Sequence, residues 1–170
     1  MSIFKKEKEL KIYFWNCCDE SGKTTLLYTI KDGFVQATLP TVGFNIETIT
    51  FNGVKMHILE VGGGKSFRPH YYPGSDAIIF LIDSSALISD KYTLDNYEDL
   101  QECINSIEDL PLLIAITKID IRKTSTADII NAYHLNSLFE RKQKIGIIEC
   151  SSYTQEGIKE ILFWLSTVNK

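Results

Sequence analysis

Two stretches, "DAIIFLID" (76–83) and "PLLIAIT" (111–117), are apolar almost throughout. Strands apolar on both sides belong to a parallel sheet covered by helices on both faces, and each is far too short to span a membrane. Helical stretches alternate with such runs. "KIYFW" (11–15) is short, aromatic and β-branched, as a buried first strand would be. Leu26, Leu27 and Ile30 then supply a helical apolar face that Gly33 is placed to end. A helix is expected around residues 94–107, and Ser125 with Asp128 forms a capping box before Ile129 and Ile130. "IGIIEC" (145–150) reads as the last strand, and Ile158, Ile161, Leu162 and Leu165 mark the core face of a closing helix. One segment breaks the alternation. "NIETITF" alternates with period two, Asn52-Gly53 is a strong hairpin signal, and "VKMHILEV" returns, so residues 45–61 read as an antiparallel hairpin. The expected fold class is α/β, a mostly parallel sheet flanked by helices, with its ligand at the carboxyl ends of the strands.

Length and composition narrow the function. The 170 residues suit one domain, divided here into a short N-terminal extension (1–10) and a folded domain (11–170). A net charge of −4 gives no general reason to expect nucleic acid. Cys17, Cys18, Cys103 and Cys150 match neither a disulfide framework nor a zinc spacing. With no signal peptide in "MSIFKKEKEL", a reducing cytoplasm is the expected location, with any peripheral contact with membranes made through partners. Met1-Ser2 lacks the glycine needed for myristoylation and "STVNK" is no prenylation box, so no direct lipid anchor is expected.

The chemistry concentrates in four loops. "WNCCDESGKTT" (15–25) joins a strand to a helix through Gly22-Lys23-Thr24, the context in which a phosphate-binding loop is meaningful. Backbone N–H groups across Asp19, Glu20, Ser21, Gly22, Lys23, Thr24 and Thr25 would cradle phosphate, Lys23 would neutralise it, and Thr24 would bind Mg2+. The loop's first glycine is replaced by Cys17, whose side chain adds bulk but removes no donor. After the buried strand, Thr117-Lys118-Ile119-Asp120 places a carboxylate where guanine N1 and N2 offer donors, with the lysine stem along the base; adenine has no such donor pair. Pro40-Thr41-Val42-Gly43 and Glu60-Val61-Gly62-Gly63 bracket the hairpin. Thr41 could meet Mg2+ and the γ-phosphate, and the Gly63 N–H the same phosphate, so one phosphoryl group would order or release both segments. Ser151 and Ser152 could present backbone N–H groups to guanine O6. A P-loop kinase of small molecules would explain Gly22-Lys23-Thr24 but leave Thr117 to Asp120 without a purpose.

"DESGKTTLLY", "LPTVGFNIETITFNG", "EVGG", "RPHYY", "IIFLIDSS", "TKID" and "ILFWL" together resemble the Arf/Arl family of small GTPases, from about residue 10 to the end, with "PTVGFN" the most specific part. The resemblance implies a six-stranded sheet with one antiparallel strand and a GTP/GDP switch on Mg2+. It also implies a hairpin whose register shift couples the nucleotide to the N-terminus. Protein effectors, and exchange or activating factors, would engage segments 41–44 and 62–72, where Phe44, Tyr71 and Tyr72 form an aromatic patch.

The departures fall on chemistry. Gly64 stands at the family's catalytic glutamine, so no catalytic residue is assigned and hydrolysis is expected to be very slow, with Lys65, Ser66 or His70 as candidate substitutes. Glu60 replaces the aspartate beneath the metal, one methylene longer, and is expected to serve Mg2+ indirectly. Thr117 replaces asparagine, as in Rho-type GTPases. About three residues, including a tryptophan, are missing between Pro69 and His70. The alternative reading is a GTP-holding scaffold or pseudo-GTPase. His57 and His134 read as structural, and Cys150 as packing.

Overall fold

In the computed structural model, which describes residues 8–15, 20–39, 41–62 and 65–169, six strands form one sheet in the order β2-β3-β1-β4-β5-β6. They are β1 (Lys8–Phe14), β2 (Phe44–Phe51), β3 (Val54–Val61), β4 (Ala77–Asp83), β5 (Leu112–Thr117) and β6 (Ile145–Glu149). Only β2 and β3 run antiparallel to one another; the other pairings are parallel. Every residue of β4 and β5 is buried, which is what their apolar sequences require of central strands. The hairpin turns at Asn52 (φ 49°) and Gly53 (φ 72°), the two left-handed positions of a type I′ turn.

The first strand starts earlier than its apolar run suggests. It extends from Lys8 to Phe14, not from residue 11 to 15, and Lys8, Glu9 and Leu10 pair with Val54, Lys55 and Met56. Leu10 and Ile12 point inward while Glu9 and Lys11 are exposed, so a charged run conceals ordinary strand alternation.

Among the described residues five α-helices flank the sheet: α1 (Lys23–Asp32), α2 (Arg68–Tyr71), α3 (Lys91–Ser106), α4 (Thr126–Ala132) and α5 (Ile158–Ser166). Gly33 ends α1 with its N–H on the Thr29 carbonyl, and the Ser125 hydroxyl accepts from the Asp128 N–H at the start of α4, both as the sequence indicates. Ile158, Ile161, Leu162 and Leu165 of α5 are buried in the core. The carbonyls at the end of α5 are met by cations: Lys8 Nζ donates to Ser166 O (3.2 Å) and to Val168 O, a favourable placement for positive charge. Among the described residues no helix is long and apolar enough to cross a membrane.

Candidate nucleotide-binding site

The loop before α1 ends at Gly22, in the left-handed region (φ 90°), so the chain turns sharply into the helix N-terminus. Ser21 is buried beneath it, and Lys23 Nζ lies 3.3 Å from Ser21 Oγ. Thr25 Oγ1 is 3.3 Å from Thr38 Oγ1, tying the first turn of α1 to the segment ahead of β2. Glu20 is exposed at the loop's edge. Asp19, Cys17 and Cys18 lie outside the described residues, as do Pro40, Gly63 and Gly64.

Three residues from separate segments meet at the mouth of this loop. Thr24 Oγ1 donates to Glu60 Oε1 (2.5 Å) and stands 3.2 Å from Thr41 Oγ1. Glu60 stands one residue before the end of β3 and is almost fully buried, and its Oε2 has no hydrogen-bond partner among the described residues. Burial pushes its carboxyl above the usual carboxylate range, against the opposing pull of the Thr24 hydrogen bond, the Lys23 charge and the Thr41 hydroxyl. An orphaned carboxylate oxygen beside two hydroxyls is a donor set that suits Mg2+. Adjacent ligands of an octahedral Mg2+ at about 2.1 Å lie about 3 Å apart, close to the separation of the two threonine oxygens. Among the described residues no group of three or more His, Cys, Asp or Glu forms an all-protein metal cage.

The two segments flanking the hairpin are joined directly. Gly62 N–H donates to Gly43 O (2.7 Å), and a Cβ at Gly62 would sit 1.8 Å from the Thr41 carbonyl oxygen. Only glycine permits that approach.

The opposite wall is built at the ends of β5 and β6. Buried Thr117 donates its hydroxyl to Ser21 O (3.1 Å) and lies 3.3 Å from Ile82 O, so the strand end supports the phosphate loop. Lys118 Nζ bonds Glu20 O (2.7 Å) and Asp83 Oδ2 (2.6 Å). Asp120 is exposed, and its Oδ1 accepts from Ser151 Oγ (2.6 Å). Ser151 therefore differs from its expected use. Its backbone N–H is spent on Glu156 O (3.0 Å), inside its own loop, while its side chain orients Asp120. Ser152, half-buried next to it, accepts from Gln155 through its carbonyl (2.9 Å). Cys150 is buried, and burial pushes its thiol up to about 12, consistent with a packing role.

Segment 65–72 is pinned to α3. Arg68 is buried, with Nη2 2.9 Å from Asp99 Oδ1 and Nη1 on Glu102, while Lys65 also reaches Asp99. The guanidinium stacks 5.2 Å from the ring centroid of Trp15, which Tyr72 meets from another side at 5.5 Å. Of the expected aromatic patch, Phe44 and Tyr71 come together (6.3 Å), whereas Tyr72 turns to Trp15. His57 bonds Thr48 (2.9 Å) and His134 packs on Tyr97 (6.0 Å), both structural contacts. Sequence reasoning gave no part to Arg68, Trp15 or Asp83. The signal for Asp83 was a carboxylate ending a wholly apolar strand, at the edge where such sheets bind ligands.

The chain has extensive relatives. A profile of the ADP-ribosylation factor family matches residues 1–169. ADP-ribosylation factor J of Dictyostelium discoideum is 36% identical over 172 residues, covering 97% of this chain and 88% of the relative. ADP-ribosylation factor K of the same organism is 34% identical with the same coverage. Among solved structures, the Arl6 BBS3 small GTPase of Trypanosoma brucei with bound nucleotide analogue GppNp superimposes with a TM-score of 0.77, at 25% identity, over 94% of this chain and 96% of that one. The strand order, the loop leading into α1 and this sequence-wide match agree: the chain belongs to the ADP-ribosylation factor family of small GTPases.

Proposed function

We propose that the protein is a cytoplasmic guanine-nucleotide switch that recruits protein effectors in its GTP state and hydrolyses GTP very slowly. The observation that carries this reading is the meeting of Thr24, Thr41 and Glu60, which joins the phosphate loop to both segments flanking the hairpin. Thr24 and Thr41 would hold Mg2+, with Glu60 behind them. Held there, Mg2+ would supply positive charge against the phosphates. Lys23 and the α1 N-terminus would take the phosphates, and the Gly63 N–H the γ-phosphate. Lys118 would lie along the base, and Asp120, already oriented by Ser151, would select guanine.

Gly64 offers no side chain to orient an attacking water. Lys65, a candidate stand-in, is drawn to Asp99 on α3. Hydrolysis slower than about 10⁻⁴ s⁻¹ is expected, at or below the unaided rate of small GTPases. Effectors and regulators would read segments 41–44 and 62–72, where Val42 and Phe44 are exposed.

The test is to denature the purified protein, identify the released nucleotide by ion-pair chromatography, and follow single-turnover hydrolysis after loading with GTP and Mg2+. Mainly GTP with negligible phosphate release supports the reading. Mainly GDP with rapid turnover would overturn slow hydrolysis. Preferential displacement by ATP would overturn guanine selection, and an empty site that cannot be loaded would favour a pseudo-GTPase.

A further inference from the structure

Asp83 ends β4 and is bound to the lysine that would support the base. We propose that Asp83 is a positioning residue for nucleotide retention: it fixes Lys118 across the phosphate loop before the ligand arrives. The proposal rests on the guanine-nucleotide reading above.

Lys118 stands in the left-handed region (φ 57°), which an L side chain adopts only where its surroundings hold it. From there its stem crosses the loop, with Cε 3.9 Å from where a Cβ on Gly22 would stand. Its ammonium is anchored at two points, Glu20 O at 2.7 Å and Asp83 Oδ2 at 2.6 Å. Asp83 is itself fixed, since the Ser85 N–H (2.8 Å) and hydroxyl (2.6 Å) both donate to Oδ1 and leave Oδ2 for the lysine. Without the carboxylate, the four-carbon stem would keep one anchor and regain rotamer freedom that binding must then remove.

A purely structural role fits these facts less well. β4 and β5 are already joined by a parallel ladder from Ile78 and Leu112 to Asp83 and Thr117, in the middle of the sheet. The pair is exposed on one side, 31% at the lysine and 8% at Asp83, so water reaches and partly screens it from the lysine end. What the pair adds is a fixed direction for the stem.

The experiment measures dissociation of methylanthraniloyl-GDP with Mg2+ from the unmodified chain, D83N, K118M and the D83N/K118M double variant. D83N keeps an acceptor for Ser85 and is expected to release nucleotide about tenfold faster, the low end for a charge-assisted hydrogen bond. In the K118M background D83N is expected to add nothing, because its effect passes through the ammonium. S85A loosens the same carboxylate by a different route and is expected to accelerate release about two- to threefold, again only when Lys118 is present. An unchanged rate in both D83N and S85A, or the same acceleration with and without Lys118, would overturn the proposal. Failure of the unmodified chain to retain the probe would overturn the guanine reading itself, and this proposal with it.

Discussion

Glu60 carries opposing demands in one side chain. Burial raises its pKa, and Thr24, Lys23 and Thr41 offset this only in part. Because the folded-state pKa lies above the unfolded one, the folded, metal-free protein binds this proton more tightly. The group's contribution to stability is therefore greatest below the unfolded pKa and is lost as pH rises through the folded value. In the proposed site Mg2+ would draw on the carboxylate, so protons and metal would compete for it. Lowering the pH from neutral through the raised carboxyl range is expected to increase the Mg2+ concentration that half-maximally slows GDP release, and E60Q should flatten that dependence while weakening the metal effect. Nucleotide release titrated with Mg2+ across pH checks it. An unmodified protein whose Mg2+ requirement ignores pH would remove Glu60 from the metal's surroundings. That Thr24 would meet Thr41 and Glu60 was legible from the loops they occupy, and the structure brings them together; their role toward a metal is the proposal. Ser151 was only partly so: whether its N–H is free depends on the Glu156 carbonyl across the loop turn, which no residue pattern reveals.

Elements whose signals are local emerged where the sequence put them. The Asn52-Gly53 hairpin and the Ser125 cap depend on a few neighbouring residues. The start of β1 did not, because Lys8 and Glu9 gain strand conformation only by pairing with Val54 and Lys55. The least legible element is α2. Nothing around Arg68 in the sequence names its partners; it is buried where α3 brings Asp99 and Glu102 against it and Trp15 follows β1. Removing one member of a buried pair costs about 3–5 kcal/mol where the other is left alone, and less here because Arg68 keeps Glu102 and Asp99 keeps Lys65, whereas replacing both with apolar residues of similar volume costs less still. Urea unfolding at saturating GDP and Mg2+ should therefore show D99A and R68A destabilised, and R68M/D99L nearer the unmodified chain. Equal losses for the single and double variants would mean that the pair's charges do not couple α2 to α3.

Across the whole molecule, the groups assigned to the ligand lie at one edge of the sheet. Glu60 is the penultimate residue of β3, Asp83 ends β4, Thr117 ends β5 and Ser151 follows β6, while β1 feeds the phosphate loop. That convergence was legible, because buried parallel strands alternating with helices admit few arrangements. How tightly the two flanks of the hairpin are joined was not. It depends on the Gly62 N–H reaching Gly43 O and on the Thr41 carbonyl filling the space a side chain would need. With that staple, ordering of segment 41–44 by a γ-phosphate, as proposed, would carry segment 60–62 with it. Hydrogen exchange compared between a non-hydrolysable GTP analogue and GDP is expected to slow at both flanks together, with β4 and β5 unchanged in either state. G62A places a methyl group against Thr41 O and should separate the two responses, leaving residues 41–44 in exchange as fast with the analogue as with GDP. If G62A leaves the two flanks responding together, the coupling runs through the nucleotide alone and the glycine contact is incidental.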